Sequence, residues 1–158
     1  MLTPHPTISA ARQQNLVNLC YRVLVVDDEV SIREFIAEAL CYCDYKVDTA
    51  DNAISAFEKL QTENFDALIT DYHMPKRTGG ELVRQMRSVG MNIPTVLMTG
   101  QTRELLTRHP DLQVNALLEK PFMIQELLDV LANVLQPATP SPVIENNWGV
   151  LRGLDANV

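Results

Sequence analysis

Short apolar runs alternate with segments of helical period five times along this 158-residue chain. The first run, Val23-Leu24-Val25-Val26, is continuous and mostly β-branched, which predicts a strand buried on both faces. Ile32, Phe35, Ile36, Ala39 and Leu40 follow at i, i+3, i+4, i+7 and i+8, the stripe of an amphipathic helix. From Lys46 to Ala50, Val47 and Thr49 alternate with Lys46 and Asp48, so this strand has one wet face or lies at a sheet edge. Ala53, Ala56, Phe57 and Leu60 mark a second helix, and Ala67-Leu68-Ile69-Thr70 is a third strand, continuous and therefore central. A loop from Asp71 to Gly80 carries Pro75, Gly79 and Gly80, and Leu82, Val83, Met86 and Val89 form the next helical stripe. Thr95-Val96-Leu97-Met98 is strand four. A short helix from Arg103 to His109 stops at Pro110, which lacks an N–H and clashes in a helix interior. Ala116-Leu117-Leu118 is strand five, and Ile124, Leu127, Leu128, Leu131 and Leu135 line the last helix.

Strands alternating with helices predict a doubly wound α/β domain, a parallel sheet covered on both faces. Only the second strand reads as half-wet, which favours an edge position for it. The five-stranded order 2-1-3-4-5 satisfies that, and it is taken from known sheets of this kind rather than read from the residues. The expected domain runs from residue 22 to 136. Residues 1–21 form an N-terminal extension in which Ile8, Ala11, Leu16 and Leu19 suggest a weak helix. Residues 137–158 form a C-terminal tail that opens with a proline-rich linker and contains Trp148, too short for a second domain.

Charge and composition narrow the function. The formal charge is -7 and the sequence pI about 4.9, so there is no basic footprint for direct nucleic-acid binding or for an anionic membrane. Cys20, Cys41 and Cys43 are odd in number and badly spaced for a disulfide framework, which fits reduced thiols, with Cys41 and Cys43 expected to pack near the end of the first helix. No apolar run is long enough to cross a membrane, and the first twenty residues lack the pattern of a secretory signal. A cytoplasmic location is expected.

Ligands of open α/β sheets bind beyond the carboxyl ends of the strands. Strand one ends in Asp27-Asp28-Glu29, strand three in Asp71, strand four in Thr99-Gly100 and strand five in Glu119-Lys120-Pro121. Each residue alone is explained equally well as a loop residue, a helix N-cap or a surface lysine. Together they place several carboxylates, one hydroxyl and one ammonium on a single rim. Two carboxylates ~4 Å apart repel by about 4 kcal/mol at an effective dielectric near 20. Either one stays protonated or a hard cation binds, and an oxygen-only donor set suits Mg²⁺.

In order and spacing, these segments resemble the receiver domains of bacterial two-component response regulators. The residues that carry the resemblance are Val23 to Glu29, Leu68 to Pro75, Gly79 to Leu82, Thr99-Gly100 and Glu119 to Phe122. The resemblance implies a flavodoxin-like fold and a stand-alone, chemotaxis-regulator-like protein. It implies Asp71 as phosphoacceptor, Mg²⁺ held by Asp28, Asp71 and the His73 carbonyl with help from Asp27, and Thr99 and Lys120 as partners of the phosphoryl group. It implies a sensor histidine kinase or phosphotransfer protein as donor, a downstream protein as target, and a cis Lys120-Pro121 bond. Catalysis would extend only to the domain's own phosphorylation and slow dephosphorylation. Leu117 stands where the family carries a switch aromatic, and His73 and Gln101 occupy two positions that tune phosphate lifetime. Two other readings remain: an interaction module that is never phosphorylated, and an aspartate-nucleophile phosphohydrolase, which would require an Asp-x-Asp after strand one.

Overall fold

Side chains alternate across β1 (Arg22–Val26), so Val23 and Val25 enter one core while Leu24 and Val26 enter another. That is why a continuous apolar run, rather than an alternating one, makes a central strand. The computed structural model describes residues 20–136. The expected weak helix between Ile8 and Leu19, and the segment with Trp148, lie outside the described residues. The remaining elements are α1 (Val30–Tyr42), β2 (Lys46–Ala50), α2 (Ala53–Thr62), β3 (Ala67–Asp71), α3 (Gly79–Ser88), β4 (Thr95–Thr99), α4 (Thr102–Arg108), β5 (Ala116–Glu119) and α5 (Ile124–Leu135).

The five strands form one parallel sheet in the order β2-β1-β3-β4-β5. The half-wet β2 is at an edge, as its alternation predicts. Its inner face is made differently, however: Thr49 is exposed, while Asp48 is half-buried because Arg22 Nε donates to it at 2.7 Å. Ile36 and Leu40 of α1 and Leu127 and Leu131 of α5 cover one face of the sheet. Ala53, Ala56 and Leu60 of α2 with Leu82 and Met86 of α3 cover the other. Each fully buried Leu, Ile, Val or Met contributes roughly 1.5–3 kcal/mol relative to exposure.

Four expectations need correction. Phe35 belongs to the helical stripe by spacing, yet it is 56% exposed. Ile36 and Leu40 enter the core against the sheet, while Phe35 borders an open groove with Pro121 and Phe122. Cys41 and Cys43 are exposed rather than packed at the helix end. Gly79 and Gly80 are the first turn of α3, not the end of a loop. The helix starts earlier because Thr78 caps it: its hydroxyl accepts the Glu81 N–H at 3.2 Å, and Glu81 accepts the Thr78 N–H at 2.7 Å. The short fourth helix runs Thr102–Arg108 rather than Arg103 to His109, with His109 as its cap before Pro110.

Candidate functional site

Strand register assembles the site. β1 pairs with β3 through Val26 and Thr70, so the residues that follow, Asp27 and Asp71, leave the sheet side by side. β4 pairs with β5 through Thr99 and Glu119, which brings Lys120 to the same rim. Backbone bonds extend the ladder past the last paired residues: Tyr72 N–H donates to Met98 O at 2.8 Å, and Lys120 N–H to Thr99 O at 2.8 Å. The loop after β3 is pinned from α3, where Gly79 N–H donates to Tyr72 O at 2.9 Å. A Cβ on Gly79 would lie 2.1 Å from the Asp71 carbonyl oxygen, so helix and strand approach this closely only through glycine.

Carboxylate oxygens of Asp27, Asp28 and Asp71 all lie within 4.8 Å of one another. Asp27 and Asp71 are buried, at 2% and 5% exposure, while Asp28 faces solvent. Lys120 Nζ is 2.8 Å from Asp71 Oδ1 and 3.2 Å from Asp27 Oδ2. Asp27 is fixed twice more: its Oδ1 accepts the Glu29 N–H at 2.9 Å, and its carbonyl accepts from Arg33 Nη1 at 2.6 Å. Burial pushes the Asp71 carboxyl above its usual range. The hydrogen bond and charge of Lys120 pull it back, and Asp27 adds to the rise. Burial also works against the Lys120 ammonium, but Asp71 and then Asp27 outweigh it and raise its pKa. The Lys120 ammonium is thus held as the counter-charge of the two buried carboxylates it touches.

Thr99 is fully buried, and its Oγ1 accepts the Gln101 N–H at 3.1 Å. A hydroxyl that already accepts still has its proton to donate. His73 and Gln101 are exposed and line a common cavity with Thr99. Leu117 is half-buried on β5 and lies outside the cluster. The Lys120-Pro121 bond is cis. Beside the cluster, Ile32, Phe35, Pro121 and Phe122 border an apolar groove that Lys120 also lines. Sequence reasoning missed two positioning residues, Gly79 and Arg33. Gly79 is visible in the sequence as loop punctuation and as part of the family-like segment Gly79 to Leu82, but not as the contact with the Asp71 carbonyl, and nothing in the chain marks Arg33, which reaches the Asp27 carbonyl from α1.

A doubly wound parallel sheet in this order, with three aspartates, a lysine and a threonine at its carboxyl rim, defines a class of α/β signalling domain. The profile of the response regulator receiver domain matches residues 23–132, and the chain belongs to that family. It is thus a receiver domain of two-component signalling. Response regulator MprA of Mycobacterium bovis is 32% identical over 127 residues, covering 79% of this chain and 55% of the relative. The chain spans about half the length of the curated relatives it matches. Among solved structures, chemotaxis protein CheY4 of Vibrio cholerae shares 33% identity with a TM-score of 0.68, covering 72% of this chain and 98% of that one. Response regulator TrrA of Thermotoga maritima, solved in complex with Mg²⁺–BeF, shares 30% identity with a TM-score of 0.66, covering 72% and 98%. Among the described residues, no helix is long and apolar enough to cross a membrane.

Proposed function

We propose that Asp71 accepts a phosphoryl group from a phosphohistidine on a sensor histidine kinase or phosphotransfer protein, and that the acyl phosphate switches a protein-binding surface. The observation that carries this reading is the 2.8 Å contact of Lys120 Nζ with Asp71 Oδ1 inside a cluster of three carboxylates. Nucleophile and counter-charge are already side by side, at the strand ends where such sheets bind ligands.

An Asp71 oxygen attacks phosphorus, the bond from phosphorus to the donor imidazole breaks, and the electron pair returns to the ring. Thr99 donates its hydroxyl to a phosphoryl oxygen. Lys120, a compact point charge, pairs with another. Asp28, Asp71 and the His73 carbonyl would hold Mg²⁺, with Asp27 acting through water or hydrogen bonding. These donors are all oxygen, as that ion prefers. When bound, the ion supplies positive charge against the phosphoryl oxygens and relieves the repulsion among the carboxylates. The Mg²⁺–BeF complex of the Thermotoga maritima relative supports this assignment.

The test is incubation with Mg²⁺ and phosphoramidate, followed by intact mass spectrometry. One base-labile phosphoryl group is expected on the native chain and none on Asp71→Asn. Labelling that persists in Asp71→Asn, or no labelling of the native chain, refutes the reading. Continuous turnover of the donor would instead mark a phosphohydrolase.

A further inference from the structure

A second space lies between the loop after β3 and α4. It is a cavity of about 70 Å³, walled by Tyr72, Thr99, Glu104, Leu105, Arg108 and His109 along with the exposed His73 and Gln101. Thr99 joins it to the carboxylate cluster, and Tyr72 is the chain neighbour of Asp71. Its chemistry is unlike that of the cluster. Arg84 Nη2 lies 2.9 Å from His109 Nδ1. A guanidinium only donates, so Nδ1 is the acceptor and the ring carries its proton on Nε2. Arg84 Nε also reaches Asp111 at 3.4 Å, and the Tyr72 ring lies 6.1 Å from that of His109, so the imidazole is held on two sides. Arg108 Nη2 meets Glu104 Oε1 at 2.7 Å, with side chains 71% and 43% exposed. An ion pair that open to solvent exchanges readily with other anions.

We infer that this cavity is a leaving-group subsite for small acyl phosphates, where Arg108 and the His109 Nε2–H receive the departing carboxylate. The inference rests on Asp71 being the phosphoacceptor. An Asp71 oxygen forms the new bond to phosphorus, the bond from phosphorus to the acyl oxygen breaks, and the electron pair stays on that oxygen. A carboxylate departs with no proton transfer. Negative charge grows on the leaving oxygen, so a guanidinium and a ring N–H beside it favour the transition state over the ground state. The cavity is small and opens to solvent beside the exposed His73 and Gln101, which admits a short carboxylate such as acetate. Glu104 occupies Arg108 when the cavity is empty, and a leaving carboxylate takes its place.

The test compares initial rates of labelling by acetyl phosphate and by phosphoramidate, which shares the phosphoryl group but releases ammonia. Each rate is taken on the full chain with Mg²⁺. Arg108→Gln is expected to lower the acetyl phosphate to phosphoramidate efficiency ratio by about two- to fivefold, the span of an exposed ion pair. Glu104→Gln, which frees the guanidinium, is expected to raise the ratio. Because both donors report on the same folded fraction, partial unfolding of a variant cancels from the ratio. A ratio unmoved by both substitutions overturns the subsite. Failure of both donors on the native chain refutes the phosphoacceptor itself, a different result from a ratio that stays still.

Discussion

Gly79→Ala probes how tightly α3 holds the backbone that presents Asp71. The added methyl would lie 2.1 Å from the Asp71 carbonyl oxygen and 3.0 Å from both its carbonyl carbon and Thr70 Oγ1. Reaching even 3.0 Å from that oxygen requires a shift of 0.9 Å, the difference between 3.0 and 2.1 Å. Neither side yields easily. The oxygen belongs to the backbone of a fully buried central strand, and the helix is tied to the same loop by the Gly79 N–H to Tyr72 O bond. Overpacking a core typically costs 1–3 kcal/mol, and a backbone-to-backbone collision belongs at about 3 kcal/mol. With a urea slope near ~1.5 kcal/mol per molar, the unfolding midpoint followed by far-ultraviolet circular dichroism should fall by about 2 M. The displaced carbonyl carries Asp71 with it, so Mg²⁺ affinity measured by calorimetry should fall as well. Gly100→Ala is the control: nothing lies within 4 Å of its added methyl. That substitution should be neutral or gain up to ~1 kcal/mol through the unfolded chain. If Gly79→Ala unfolds within about 0.5 kcal/mol of the native protein and binds Mg²⁺ equally well, this contact does not set the position of the phosphoacceptor.

Two further outcomes follow from the electrostatics. Lys120→Met leaves the buried Asp27 and Asp71 carboxylates without their shared ammonium. In Mg²⁺-free buffer it should destabilise by about 2–3 kcal/mol, discounted for the partial exposure of the lysine, with saturating Mg²⁺ recovering much of the loss. Equal stability of the variant and the native protein in chelator would refute the coupling. The backbone hydrogen bond from Thr78 holds the Glu81 carboxyl below its usual range. The sign follows from linkage: a depressed folded value contributes stability that is present above the ordinary glutamate pKa and lost as pH falls through the folded one. Urea midpoints measured across that acid window should therefore decline less steeply in Glu81→Gln than in the native protein. Parallel curves would mean the capping box contributes nothing.

Much of this molecule was legible in its residues because each strand is its own statement. Val23 to Val26, Ala67 to Thr70 and Thr95 to Met98 are continuous apolar runs, and such runs tolerate only a sheet covered on both faces. The residue that follows each run is then forced to the carboxyl rim, so Asp27, Asp71 and Thr99 could be named as neighbours before any coordinate was known. The resemblance added what pattern alone did not carry: the strand order and the cis bond before Pro121.

What the chain could not announce is what depends on how elements turn against each other. Helical period placed Phe35 in the buried stripe, but in the folded domain its side chain is more than half exposed. The loop punctuation of Gly79 hid a helix start, because only the approach of α3 to β3 reveals that a side chain there would strike the Asp71 carbonyl. Arg33 reaches the Asp27 carbonyl, and Arg84 reaches His109 across a 25-residue separation. Local pattern reports which side of an element is apolar. Long side chains and backbone contacts between elements are decided by interhelical geometry, which no single segment encodes.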